Sequence, residues 1–327
     1  MKSWRFHEFG RIENLKIEEI PTPEPGPGEA LVKLKFAALN PADKFLVMGM
    51  YPKPGTPPFA VGRDGSGIIE VPAEGGRFKK GDAVTLLRSE IGITREGTLA
   101  EYVAVPEESL APVPEGWSYE EAAAGPLVQL TSWQALADEG LIQAGSNVLV
   151  TGASGGVGTA AVVQAHALGA TVVALSRSEP KRARLLELGA DHAIDTDDPD
   201  VVNKVKAAFG GQADIVVENL SGPFLQKSIN MTGRKGRICI MGLLAGIKSE
   251  IVIGTFMFKR IHLIGIAVGD YTAAEAQDRW AKIVETLGKT GARPIVDRAF
   301  PFEEVQEAFD HLGAGPMGKV LIGPMYD

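Results

Sequence analysis

The sequence predicts an α/β protein in which a doubly wound parallel sheet is joined to a second, mostly β domain. Three observations carry that expectation. From about residue 123 onward, strand-like runs alternate with helical ones, a pattern that specifies parallel strands joined by right-handed crossovers. Residues 1–122 instead hold short β-like stretches broken by Pro and Gly. The tail from residue 271 returns to helix, strand, helix, strand, so it is expected to rejoin the first domain. The predicted division is therefore 1–122 with 271–327, and 123–270 between them.

In the first part, "PTPEPGPGEALVKLKFAALN" couples a Pro-rich turn to an alternating strand, and "DGSGIIEV" and "GDAVTLL" read as further strands. "NPADKFLVMGMY" predicts a short helix with Asn40 near its cap and Pro41 in its first turn. "YEEAAAGPLVQLTSWQAL" reads as helix. Strands are then expected at 148–151, 171–175, 192–195, 214–218, 237–241 and 261–267, the first followed by a helix over 159–168. Gly169 and Gly189 fall where helix C-caps belong, and Asp198 with Pro199 resembles a helix start. Thr272 and Glu275 have capping-box spacing ahead of the last long helix.

Composition narrows the function. A net charge of −8 argues against nucleic acid or an anionic membrane as partner. No apolar run reaches the ~18 residues of a membrane span, and "MKSWRFHEFG" lacks the apolar core of a signal peptide. A cytoplasmic protein is expected. One cysteine, Cys239, leaves no internal disulfide and no cysteine-rich zinc site. The histidines (His7, His166, His192, His262, His311) are scattered without ligand spacing. No metal is expected.

"VLVTGASGGVG", residues 148–158, is a strand that breaks into glycines before a helix. Glycines there allow a tight bend, let backbone N–H groups approach a pyrophosphate, and let the helix pack closely. Gly155 and Gly158 take the second and third fingerprint positions, and Gly152 precedes Ala153 at the first. Ser154, Gly156 and Val157 complete the turn. A dinucleotide is the expected ligand. At the end of the next strand an NAD site places a carboxylate, but this chain reads "VVALSRSEPK". Ser176, Arg177 and Lys181 suit a 2′-phosphate instead, so NADPH is expected as cofactor. The alternative reading of these residues is an ordinary helix start with solvated charges.

The motifs "AALNPAD" (37–43), "VGRDGSGIIE" (61–70), "RFKKGDAV" (77–84), "GTLAEY" (97–102), "VTGASGGVG" (150–158), "LGADHAID" (188–195) and "GKVLI" (318–322) run the length of the chain. Together they resemble the medium-chain dehydrogenase/reductase superfamily, within it the zinc-free quinone oxidoreductase branch related to zeta-crystallin. The resemblance implies a Rossmann domain and a GroES-like N-terminal domain completed by the C-terminal segment. Zinc-dependent relatives carry a Cys near Asn40 and a His-Glu pair near Arg63 and Asp64; neither metal ligand is present.

Without zinc to polarise a carbonyl, a substrate needs its own electron sink. A quinone or an α,β-unsaturated carbonyl such as an enone qualifies, since positioning and hydrogen bonds then suffice. The resemblance nominates three catalytic candidates. Asn40 would bind substrate oxygen or the nicotinamide ribose, or act only as a helix cap. Tyr51 would donate to the developing oxyanion, or be a half-buried loop residue. Thr131 would approach the cofactor, or bond its own helix. Asp43 would orient the loop. Arg63 would bring a cation to the site or pair with Asp64. Phe45 and Val47 replace a Tyr and an Arg of many relatives and make the acceptor site more apolar.

Asn219, Gly242 and Leu243 follow later strands, where loops line the nucleotide crevice. Lys319 would contact a phosphate or be a surface lysine. The apolar "KRIHLIGIAVG" strand is expected at a sheet edge and, as in relatives, to pair across a homodimer twofold. Two other readings are an enoyl-thioester reductase, which the acidic charge disfavours, and a nucleotide-binding sensor without turnover.

Overall fold

The computed structural model describes residues 1–88 and 90–326. The chain forms two units: Met1–Leu127 with Gly269–Trp280 and the segment from Pro294 onward, and Val128–Val268 with Ala281–Arg293.

The first unit starts with β1 (Lys2–Phe6), which pairs antiparallel with β2 (Lys16–Glu19). β3 (Glu29–Ala38) alternates strictly enough to bury one face and ends at Asn40, which opens α1 (Pro41–Val47). Asp43 closes that end by accepting the Asn40 backbone N–H at 2.8 Å. The short β4 (Phe59–Ala60) pairs with β1. β5 (Asp64–Val71), β6 (Ala83–Leu86), β7 (Tyr102–Pro106) and β8 (Leu110–Pro112) build on β3. The expected helix after residue 118 is broken at Gly125 into α2 (Tyr119–Ala124) and α3 (Pro126–Trp133), then runs through a π-helical stretch, Gln134–Asp138. Pro126 lacks the N–H that would continue α2, so the turn restarts there.

In the second unit β9 (Asn147–Val150), α4 (Gly156–Ala167), β10 (Thr171–Leu175), α5 (Glu179–Glu187), β11 (His192–Ile194), α6 (Val201–Phe209) and β12 (Ala213–Glu218) alternate as the sequence predicts. α6 begins two residues later than Asp198–Pro199 suggested. Asp198 caps a turn by accepting the Asp200 N–H at 2.8 Å, and Asp200 takes the N-cap position. α7 (Leu225–Met231), β13 (Thr232–Ile240), α8 (Ile253–Lys259) and β14 (His262–Gly265) complete a parallel sheet of order β11-β10-β9-β12-β13-β14. Its core joins Leu149, Val173, Val216 and Ile238 from the strands to Val205 and Ile229 from the helices. The strand order reverses beside β9, the switch point where such sheets bind ligands at their carboxyl ends.

The Thr272–Glu275 capping box forms as expected ahead of α9 (Ala273–Thr290). β15 (Val296–Phe300), α10 (Val305–Gly313) and β16 (Lys319–Ile322) follow. β16 pairs antiparallel with β3, which closes the seven-stranded sheet of the first unit: β15-β16-β3-β5-β6-β8, with β7 also on β3. Phe300, Val305, Phe309 and Ile322 share a buried cluster with Phe6, Leu39, Leu46 and Phe59. The C-terminal segment thus supplies core to the N-terminal one. The whole is a mixed α/β protein, with a Rossmann sheet in one unit and a GroES-like β domain in the other.

Candidate functional site

The second unit presents a glycine turn shaped for a phosphate. Gly152 adopts φ +55°, which an L side chain rarely takes. A Cβ on Gly158 would stand 2.5 Å from the Gly152 carbonyl oxygen, so only glycine lets α4 sit this close to the turn. Gly155 differs: a Cβ there would meet nothing nearer than 3.7 Å. Gly155 is also the N-cap of α4 and offers no side chain to it, which leaves the first-turn N–H groups to an anion. Ser154, Gly156 and Val157 are half-buried in the same turn.

At the end of β10 no carboxylate is present. Ser176 is nearly buried, with its hydroxyl 3.4 Å from that of Ser154. Arg177 is exposed and Lys181 half-buried one turn into α5. Arg182, which the sequence reading missed, braces this corner: its Nη1 donates to the Ser176 and Arg177 carbonyls, both at 2.9 Å, and lies 3.3 Å from Asp195. An Arg several residues past a strand end was the available signal. The donors here suit a 2′-phosphate, and the open turn suits a pyrophosphate.

Asn219 is held by Thr151, donating from Nδ2 to its carbonyl at 2.8 Å and from its backbone N–H to its hydroxyl at 2.9 Å. Behind it lies Glu218, fully buried at the end of β12 and also missed from sequence. One of its oxygens accepts from the Thr151 hydroxyl and from the Leu220 and Ser221 N–H groups, each at 2.9 Å; the other accepts from Ser228. Ser221 in turn donates to the Gly242 carbonyl at 2.8 Å. The two loops after β12 and β13 are therefore one hydrogen-bonded platform carrying Asn219, Gly242 and the exposed Leu243. Thr131 lies buried in α3 of this unit.

The first unit collects a buried polar cluster where the starts of β16 and β5 meet the end of β3. Lys319 Nζ donates to Asn40 Oδ1 at 2.6 Å and lies 3.0 Å from Asp64 Oδ2. Asn40 Nδ2 donates to the same Asp64 oxygen at 2.9 Å, and the Leu127 N–H reaches Asp64 Oδ1 at 3.1 Å. One expectation needs correction. Lys319 is not a surface lysine: it is 3% exposed, because β16 pairs with β3 and turns the ammonium inward onto a carboxylate. Asn40, also 3% exposed, engages its amide with Lys319 and Asp64.

Asp43 lies fully buried in α1. Its Oδ2 takes the Asn40 N–H, while Oδ1 has no hydrogen-bond partner. Burial pushes its carboxyl up to about 6, against the pull of Arg63, the Asn40 N–H and Lys319. Arg63 does not pair with Asp64. Its Nη1 donates to the Tyr51 hydroxyl at 3.2 Å, with the guanidinium 5.5 Å from the ring centre. Tyr51 is half-buried, and Phe45 is 41% exposed nearby in sequence. The structure thus joins Asn40 to Lys319 and Tyr51 to Arg63 in the first unit, and gathers the glycine turn, strand end and Asn219 platform in the second. Among the described residues no three His, Cys, Asp or Glu side chains converge on a metal position.

Two family models match the chain: an alcohol dehydrogenase GroES-like domain over residues 26–115 and a zinc-binding dehydrogenase over 156–289. A quinone oxidoreductase of Pongo abelii is 30% identical over 98% of this chain and 97% of its own. The quinone oxidoreductase of Thermus thermophilus, solved alone and with NADPH, is 31% identical with a TM-score of 0.84, covering 99% of this chain and 100% of that one. An NAD-dependent alcohol dehydrogenase is 32% identical with a TM-score of 0.89, covering 99% of both.

Proposed function

Since the chain belongs to the medium-chain dehydrogenase/reductase superfamily of oxidoreductases and matches quinone oxidoreductases along its full length, we propose that it reduces quinones or α,β-unsaturated carbonyls with NADPH and without zinc. The observation that carries the cofactor choice is the strand end at Ser176 and Arg177, free of carboxylate, beside the open Gly155 turn. Arg177 and Lys181 would take the 2′-phosphate. The first-turn N–H groups of α4 would take the pyrophosphate. Asn219, Gly242 and Leu243 would face the ribose and carboxamide, with Thr131 beside them.

NADPH, when bound, supplies the hydride. What remains for the protein is to orient the acceptor, exclude water and hold a proton donor where negative charge develops. Tyr51 is that donor, with an O–H suited to an enolate or a hydroquinone oxygen. Asn40 acts through structure, fixing the loop that leads into α1. The buried Lys319 ammonium balances Asp64, so the residues around Asn40 form no anionic nest for a divalent cation.

The same reading makes the protein cytoplasmic and homodimeric. Its test is the absorbance decay of NADPH and of NADH against a panel of quinones, enones and enoyl thioesters, with dissociation constants by fluorescence titration. NADPH is expected to bind at least about tenfold more tightly than NADH, on the strand-end argument, and turnover is expected with a quinone or an enone. Equal affinities refute the cofactor choice, and silence across the panel refutes the reductase.

A further inference from the structure

Arg63 forms no ion pair among the described residues. It is half-buried, and its polar contact among the described residues is the Tyr51 hydroxyl at 3.2 Å; no described carboxylate lies within ion-pair distance of it. Two carboxylates bear on it without forming an ion pair. Asp64 is filled by Asn40, Lys319 and Leu127. Asp43 feels the field of Arg63 but keeps its hydrogen bond with Asn40. Leaving a guanidinium partly desolvated and unpaired is costly.

The backbone fixes Arg63 firmly. Gly62 before it adopts φ +101°, with its carbonyl accepting the Thr98 N–H at 3.0 Å, and a Cβ on Gly62 would strike the Thr98 hydroxyl at 2.5 Å. Asp64 after it is the hub of the buried cluster.

A phenol oxygen has one proton and two lone pairs. Arg63 occupies a lone pair of Tyr51, and no described residue accepts the Tyr51 proton. The O–H is therefore left to donate to an incoming group, and the spare N–H groups of Arg63 lie beside the same oxygen.

We infer that Arg63 and Tyr51 together form an oxyanion site for phenolate- or enolate-type oxygens. This deepens the reductase reading and rests on it. When the acceptor carbon gains a hydride, its conjugated electron pair moves to the carbonyl oxygen. The Tyr51 O–H bond breaks as its proton passes to that oxygen, and the O–H electron pair stays on Tyr51. Arg63 stabilises the phenolate so formed, and water returns the proton to Tyr51. The acceptor gains one hydride and one proton. Phe45, Met48 and Met50, all exposed and apolar, suit the ring or alkyl body of such an acceptor.

The test uses para-nitrophenol, whose colour reports its charge. At a pH where the free probe is mostly neutral, the full-length wild-type protein is expected to bind it as the phenolate. Arg63→Gln is expected to weaken binding about tenfold or more and return the bound probe to its neutral form, in line with the strength of charge-assisted bonds. Arg63→Lys is expected to restore the phenolate colour at weaker affinity, since it keeps charge but loses the fork. Circular dichroism verifies that each variant is folded. In turnover, Arg63→Gln is expected to lower kcat about tenfold while the KM for NADPH stays unchanged.

Wild-type protein that binds no phenolate overturns the inference, as does an Arg63→Gln variant that binds the probe as wild type does. If the probe responds as expected but no acceptor in the panel is turned over, the oxyanion site stands and the reductase reading fails. If acceptors are turned over but the probe is indifferent to Arg63, the reverse holds.

Discussion

Asp43 carries a cost that its neighbours do not remove. Its carboxyl, buried and with Oδ1 unpartnered, sits near 6 in the folded chain against 3.8 for a free side chain. Over that interval the folded state holds the proton more tightly than the unfolded state does. Stability from this group therefore falls as pH rises from about 4 to about 6, and the penalty of roughly 3 kcal/mol is fully present above. Asp43→Asn keeps an oxygen for the Asn40 N–H while removing the charge. Urea unfolding is expected to show the variant more stable than wild type at about pH 8, by up to ~3 kcal/mol, and level with it near pH 4. Parallel stability curves for the two proteins would show that the burial of Asp43 has no such cost. The residue scale was also the hardest to read from sequence. Nothing local marks Lys319 as the partner of Asn40, 279 positions away, because only the pairing of β16 with β3 brings them together.

The turn between β9 and α4 separates two uses of glycine that look identical in sequence. Gly158 is required by the fold, since a Cβ there would lie 2.5 Å from the Gly152 oxygen and 2.6 Å from Ala153 backbone atoms. Gly155 has a φ of −76°, which alanine accepts, and open space where its Cβ would go. Gly155→Ala is thus expected to unfold with wild-type stability, within ~0.5 kcal/mol, yet to lose NADPH affinity by about tenfold or more, because the methyl takes the phosphate's place. Gly158→Ala is expected to lose ~1–3 kcal/mol of stability as α4 is pushed off the sheet. Should Gly155→Ala bind NADPH as tightly as wild type, the phosphate does not sit on this turn. Elements of this kind were legible because their periodicity and punctuation are local. β10 spans Thr171–Leu175 as read, and α9 starts at its capping box. The break at Gly125 was not. Gly125-Pro126 is a local breaking signal inside "EAAAGPLVQL", but the alanines and leucines on either side carry helical composition across it, and the packing that a Cβ on Gly125 would meet, Trp117, Trp280 and Pro294, lies outside that window.

On the scale of the molecule, the parallel sheet ends at β14, one side of which has no strand beside it among the described residues of the single chain. Phe258 is 78% exposed on α8, just before that strand, and Ile253, Met257 and Leu263 are exposed around it. A free edge flanked by large apolar side chains invites association. The net charge of −8 opposes it only weakly, since exposed charges are screened beyond ~8 Å at physiological salt. A second copy related by a twofold would cover edge and side chains at once, because an isologous contact places the same strand on both sides. Light scattering is therefore expected to give twice the 34.7 kDa of one chain. Leu263→Asp with Phe258→Asp should cost the isolated fold little, both side chains being exposed, while placing like charges from both copies in the contact. The variant is expected to run as a monomer with unchanged circular dichroism, and its melting temperature, unlike that of wild type, should not depend on concentration. A wild-type mass of one chain would remove the dimer. A variant that stays dimeric would move the contact to another face.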